Sequence, residues 1–225
     1  KLSARTMNLL KNFSTINGNF TASAGNRIKT IAEQKNVFAD AVIEESFPVD
    51  VYIYDLSQFL SAASMFASPE FDFQENRVVI SENGRSVNYL YADPSHLTKV
   101  PSKEVQPSAD AVDVNVSADA FGQVLKAASV LQLPDVAFVS DGESNVRLIA
   151  TNSKLNADAC NQFSVDLETK TTAKFKLLFK AENLKMISGD YVVKLVKGPA
   201  FFYSTDTKNP LHYLVSGDAS STFTA

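Results

Sequence analysis

NLLKNFSTI (Asn8–Ile16) and QVLKAASVL (Gln123–Leu131) read alike: two aliphatic residues before one lysine, then a serine and a further aliphatic residue at the same spacing. At about 100° per residue, Met7, Leu9, Leu10, Phe13 and Ile16 fall on one side of a helix over Ala4–Ile16. Arg5, Asn8, Lys11, Asn12 and Thr15 fall on the other, which holds no acid. In the second copy Ser117 is placed to cap a helix whose Phe121, Val124, Leu125, Ala128 and Leu131 share a face, with Gln123 and Lys126 turned away. The same helix is written twice, with one positive charge kept in place.

Working outward, the surroundings repeat as well. After the first helix, Gly18 and Gly25 punctuate extended segments. PVDVYIY (Pro48–Tyr54) then alternates Val49, Val51 and Ile53 with polar and aromatic residues, as a half-buried strand does. It runs into DLSQFLSAASMF, a helix with Asp55 as N-cap, and two strands follow across the hairpin signal Asn83-Gly84. In the second copy, strands flank Asp141-Gly142. AKFKLLF then leads into KAENLKMI, read as a short helix ended by Gly189, and DYVVKLV, AFFYS and LHYLVS close the pattern. Between the copies, residues 93–113 hold three of the eight prolines and read as a connector.

The order helix, strands, helix, strands predicts an α+β chain of two similar domains, each with two helices on an antiparallel sheet. The expected boundaries are 1–92 for the first domain, 93–113 for the connector and 114–225 for the second. At 225 residues and 45% hydrophobic content, two ordinary cores are available.

Composition bounds the function. No apolar run approaches the ~20 residues of a membrane span, and Cys160 is the lone cysteine, which fits a reducing cytoplasm. The net charge of −4 is unevenly spread. Residues 1–35 carry six Lys or Arg against Glu33 alone, residues 36–76 carry eight acids and no base, and seven lysines lie between Lys170 and Lys197. Two histidines, His96 and His212, with one cysteine cannot build a Cys/His zinc site. Glu44 and Glu45 are adjacent, so in a strand they point to opposite faces. No nucleophile, phosphate-loop or metalloprotease motif is present. The expectation is no catalysis, no cofactor and no metal. The lysine-bearing faces carry Asn, Thr, Ser and Gln, a surface suited to loose, sequence-blind contact with phosphates. Reactions at a carboxylate metal site assembled only in the fold, and a trimeric β-rich virion protein with duplicated domains, are the competing readings.

Taken in order, LLKNFSTIN, VYIYDLSQFL, SVNYLYAD, LLFKAENLKMISGDYVVKL and HYLVSGDA make the whole chain similar to the sliding DNA clamps, or polymerase processivity factors, of T-even-type tailed phages. The resemblance implies a homotrimer assembled head to tail, a closed ring of six similar domains around duplex DNA, with helices lining the hole. It implies tethering of the replicative DNA polymerase through a short peptide, opening by an ATP-driven clamp loader, service in late transcription, and residence in the cytoplasm of an infected bacterial host. Carried over by position, it places Lys11, Lys126 and Lys185, with Arg5 beside Lys11, toward DNA. It places a partner-peptide pocket by the connector at Leu97 and Val100, near Tyr89 and Tyr91. The helix DLSQFLSAASMF departs from the pattern in having no base, and position 119 is Asp, so the resemblance implies a less positive hole than usual.

Overall fold

The computed structural model describes residues 1–103, 105–156 and 160–224. They form two compact units, Lys1–Lys103 with Lys208–Leu211, and Glu104–Thr207 with His212–Ala225.

In the first unit, α1 (Ala4–Ser14) precedes β1 (Phe20–Ala22), β2 (Gly25–Ile31), β3 (Val37–Phe47) and β4 (Val51–Ile53). Next come α2 (Leu56–Ala63), β5 (Glu70–Phe73), β6 (Arg77–Glu82) and β7 (Arg85–Leu90). All pairings are antiparallel: β1 with β4, β2 with β3, and β5–β6–β7 in order. The β6–β7 turn places Asn83 and Gly84 at φ 49° and 77°, the two positive values that a tight hairpin of the right twist demands. Leu9, Leu10 and Phe13 bury the inner face of α1 against β3 and α2, and Leu56, Phe59 and Leu60 bury that of α2. Asp55 caps α2 by accepting from the Gln58 amide at 2.9 Å.

The second unit opens with β8 (Val112–Val116) and α3 (Ala118–Val130), followed by β9 (Asp135–Asp141), β10 (Asn145–Thr151), β11 (Phe163–Lys170) and β12 (Lys174–Lys180). A 3-10 turn, Ala181–Leu184, leads to β13 (Tyr191–Leu195), β14 (Ala200–Ser204), β15 (Leu211–Val215) and β16 (Thr222–Thr224). One sheet runs β11-β10-β9-β12-β16, and β8, β13, β14 and β15 are neighbours in another. Phe138 of β9 and Phe202 of β14, centroids 6.3 Å apart, join the two sheets with α3 packed beside them.

The first unit thus runs helix, four strands, helix, three strands, and the second runs strand, helix, four strands, helical turn, four strands. Lys180–Ile187, expected as a helix, is found as the 3-10 turn. Two core tyrosines explain it. The Tyr191 hydroxyl donates to the Ile187 carbonyl at 2.6 Å, and the Ile187 amide donates to the Tyr213 hydroxyl at 3.3 Å. These hydroxyls take up backbone groups that a continuing helix would bond internally. The C-terminal tail, which carried no sequence signal, adds β16 to the edge of β12, with Phe223 stacked on Phe175 at 5.6 Å. Among the described residues no helix is long and apolar enough to cross a membrane.

Candidate nucleic-acid interface

Ser3 caps α1, its hydroxyl accepting from the Thr6 amide. A second anchor comes from β3: Glu45 accepts from the Ser3 amide and, at 2.6 Å, from the Thr6 hydroxyl. Burial pushes the Glu45 carboxyl up, but the Thr6 hydroxyl and the Ser3 amide outweigh it and hold the group below its usual value. A carboxylate here also meets the positive end of the helix dipole. The second unit uses the same device from a different part of its chain. Ser117 caps α3 through the Ala120 amide, and Asp190 accepts from the Ala118 amide at 2.8 Å.

On these anchored helices the two lysines are placed alike. Leu9 and Phe13, two residues either side of Lys11, are buried, as are Val124 and Ala128 either side of Lys126. Positions two before and two after a helical residue lie about 160° from it in either direction, so each lysine points away from its unit's core. Both are exposed. Lys185, also exposed, follows the 3-10 turn as its C-cap residue, and that turn packs against α3. The outward residues of α2, Ser57, Gln58 and Ser61, are polar and uncharged.

Arg5 does not present a free cation beside Lys11. Its guanidinium donates to the Val42 carbonyl at 2.7 Å and to the Asn209 carbonyl at 3.0 Å. Six residues apart, Arg5 and Lys11 differ by about 120° around the helix, which turns Arg5 toward β3.

Near the end of the first unit a groove of about 690 Å³ lies between residues 94–102 and the β1–β2 region. Leu97 and Val100 line it, with Tyr52, Lys99, Arg27 and Lys29 around them. The segment is tied down where the Thr98 amide and hydroxyl both donate to the Asn19 side chain at 3.3 Å. Tyr91 stands behind the lining, edge-on to Tyr52 at 6.3 Å; burial and the Asp72 charge push its phenol up to about 12. Tyr89 lies elsewhere, its ring edge-on to Phe59 at 5.4 Å and its hydroxyl donating to the Asp55 carbonyl, beneath α2. Tyr52 was the residue to find: in VDVYIY it alternates with Val51 and Ile53, which are buried, and so must face out.

The family model for DNA polymerase processivity factor matches residues 2–84. The sliding clamp of Vibrio phage KVP40 is 32% identical over 199 residues, covering 87% of this chain and 90% of that protein. The sliding clamp of Enterobacteria phage T4 is 29% identical over 202 residues, 87% and 86% of the two chains. In fold, the chain is similar to the PCNA of A. fulgidus solved with the C-terminal region of FEN-1, with TM-score 0.71, 14% identity and 96% of each chain covered. It is also similar to the PCNA of Entamoeba histolytica, at TM-score 0.67 and 15% identity over 97% and 96% of the chains. The repeated anchored helix, the α+β order common to both halves and the similarity along nearly the whole chain agree, and the protein belongs to the sliding-clamp family of T4-like phages.

Proposed function

We propose that three copies close head to tail into a ring of six similar domains around duplex DNA and tether the replicative DNA polymerase, without catalysis of their own. The observation that carries this reading is the matched placement of Lys11 and Lys126, each opposite a buried pair on an anchored helix. Repeated by symmetry, they supply sparse, long-armed cations to the lumen. Such contacts hold phosphates without reading bases, so a topological link supplies retention while the contacts stay weak enough to slide. Lys185 joins them from the helical turn, and Arg5, held by two carbonyls, contributes less. The uncharged outward face of α2 keeps the lumen only modestly positive.

In the same reading the groove at Leu97 and Val100, with Tyr52 at its wall, takes a short peptide from the polymerase. An ATP-driven clamp loader opens the ring, and the ring serves late transcription in the cytoplasm of the infected host.

The test is retention on nicked circular duplex DNA after Lys11→Gln, Lys126→Gln and Lys185→Gln are combined. Each phosphate contact removed lowers the slope of log affinity against log salt by about 0.9. The expected result is faster loss from DNA with a shallower salt dependence and an unchanged native mass. Retention and slope equal to the parent protein's would overturn the assignment of these lysines.

A further inference from the structure

In the second unit, β9, β10 and β12 turn one face toward α3 and the core. Phe138, Leu148 and Leu177 stand side by side on it and are fully buried. The next row of the sheet points the other way. There Arg147 of β10 lies opposite Val139 of β9, and Val139 lies opposite Lys176 of β12. Lys174, two residues before Lys176, shares that face, its stem lying over Gly142 where no side chain intervenes. Arg147, Lys174 and Lys176 are all exposed. At ordinary strand and residue spacings they fall within about 12 Å of one another. Among the described residues none of the three forms an ion pair. Two acids stand beside them and are engaged elsewhere. Asp141, opposite Lys174, accepts from the Glu143 and Ser144 amides at 2.9 and 2.7 Å. Asp166, opposite Arg147, accepts from the Glu168 amide at 2.8 Å. Both carboxylates are drawn to the backbone of their own turns, and the cations are left unbridged.

We propose that this face docks an acidic, partly apolar segment of a partner protein, laid across β10, β9 and β12 on the side of the sheet away from α3. Charge gives the sign of the partner. In a chain of net charge −4, three unbridged cations on adjacent strands make a local positive field that draws and orients carboxylates. The residues between the charges give the rest. Val139 and Ile149 of the same face are half-buried, so a segment that brings acids to the cations also finds apolar surface to cover. A single-stranded nucleic acid fits less well. No outward position of β9, β10, β12 or β16 is aromatic, and bases laid on this face have nothing to stack against. Nor can the face serve phosphates held at Lys126, because α3 packs on the opposite side of the same sheet. The second unit therefore separates two kinds of cation, one set on its helix and one set behind the sheet that carries it. The inference uses that unit alone and does not depend on closure of a ring.

The experiment is fluorescence anisotropy of a labelled short peptide of glutamates and leucines titrated with the full chain, beside its glutamine counterpart and a single-stranded oligodeoxynucleotide of equal net charge. Two variants lose the same charge from different places. One combines Arg147→Gln, Lys174→Gln and Lys176→Gln; the other combines Lys11→Gln, Lys126→Gln and Lys185→Gln. All six positions are exposed, and circular dichroism checks that both variants fold. The parent protein is expected to bind the glutamate peptide, more weakly as salt rises, and to bind the glutamine counterpart at least about tenfold less tightly. Removing the sheet cations is expected to cost about tenfold in peptide affinity, the scale of three exposed ion pairs, with native mass unchanged. Removing the helix lysines is expected to leave peptide affinity at the parental value. Equal losses in the two variants would show a response to net charge alone and overturn the proposal, as would a parent protein that does not bind the peptide. An oligonucleotide bound more tightly than the peptide, with that binding lost in the sheet variant, would make the face a nucleic-acid surface and overturn it as well.

Discussion

Asp135 and Lys180 join the two elements that carry Lys126 and Lys185, and removing either partner should have unequal effects. Asp135 opens β9 just after the turn that ends α3, and Lys180 closes β12 just before the 3-10 turn. The carboxylate is 2% exposed and accepts from the Lys180 ammonium at 2.6 Å, the Ser153 hydroxyl at 2.5 Å and the Ser153 amide at 2.8 Å. The ammonium is 37% exposed. Lys180→Met therefore leaves a buried anion without its counter-ion, whereas Asp135→Asn leaves a cation that water can reach. Breaking a buried pair costs about 3–5 kcal/mol. Partial solvation of the lysine and the two surviving Ser153 bonds put Lys180→Met near the low end, about 3 kcal/mol. Asp135→Asn keeps an acceptor for Ser153 and should cost about 1–2 kcal/mol. For a chain of this size, about 3 kcal/mol lowers Tm by about 6–12 °C.

The dependence on pH separates this account from a simple loss of packing. In the parent protein burial pushes the Asp135 carboxyl up, but Lys180 and Ser153 outweigh it and hold it below its ordinary 3.8. The stability it contributes is fully present above that value and is lost as pH falls through the depressed one. In Lys180→Met burial dominates, the carboxyl titrates above its ordinary value, and protonation relieves the variant. The deficit of Lys180→Met should shrink as pH falls from 7 toward 4, while that of Asp135→Asn stays level across the same window. Urea unfolding of both variants at a series of pH values reads this out. A deficit below about 1 kcal/mol at pH 7, or one that does not change with pH, would refute the reasoning.

Glu45→Gln should destabilise by about 1–2 kcal/mol, because a charged acceptor at the start of α1 becomes neutral. Since the Glu45 carboxyl is held below its ordinary 4.5, the parent's advantage is complete above that pH and disappears as pH falls through the lowered value, a trend readable in urea midpoints. Gly142→Ala puts a Cβ 2.7 Å from the Thr172 carbonyl oxygen at φ 82°, while Gly84→Ala, at φ 77°, meets open space. Thermal unfolding should show the first costing about 2 kcal/mol more than the second, and equal costs would deny the close approach. Transposing charges, Lys11→Asn with Asn12→Lys and Lys126→Ala with Ala127→Lys, keeps composition but turns each cation about 100° around its helix. Retention on circular DNA should fall and its salt slope flatten, and parental retention would show that net charge alone matters.

What the sequence disclosed was local. The Asp55 cap, the Asn83-Gly84 hairpin and the two lysine-bearing helices are each specified by residues within one turn of one another, so periodicity and capping chemistry sufficed to place them. What it concealed depended on groups distant along the chain. Lys180–Ile187 has a helical pattern, yet hydroxyls from Tyr191 and Tyr213 decide where it stops. Tyr89 and Tyr91 alternate with the pleat correctly, but only the position of α2 shows that Tyr89 packs under a helix, away from the groove. Arg5 reads as a surface cation until the carbonyls of Val42 and Asn209 appear beside it.

The anchors of α1 and α3 show how packing, more than the cap, sets the direction of the cation. One more residue separates Ser117 from Lys126 than separates Ser3 from Lys11. Were the lysine keyed to the cap, that offset would turn it by about 100°. It keeps step instead with the buried pair, Leu9 and Phe13 in one helix and Val124 and Ala128 in the other. The carboxylates that hold these helices come from Glu45 in the first unit and Asp190 in the second, at positions no repeat in the sequence relates. Each acts on the first turn, about 12 Å of helix from its lysine. That separation exceeds the screening length of about 8 Å in physiological salt, so the acid fixes the helix without cancelling the cation it carries.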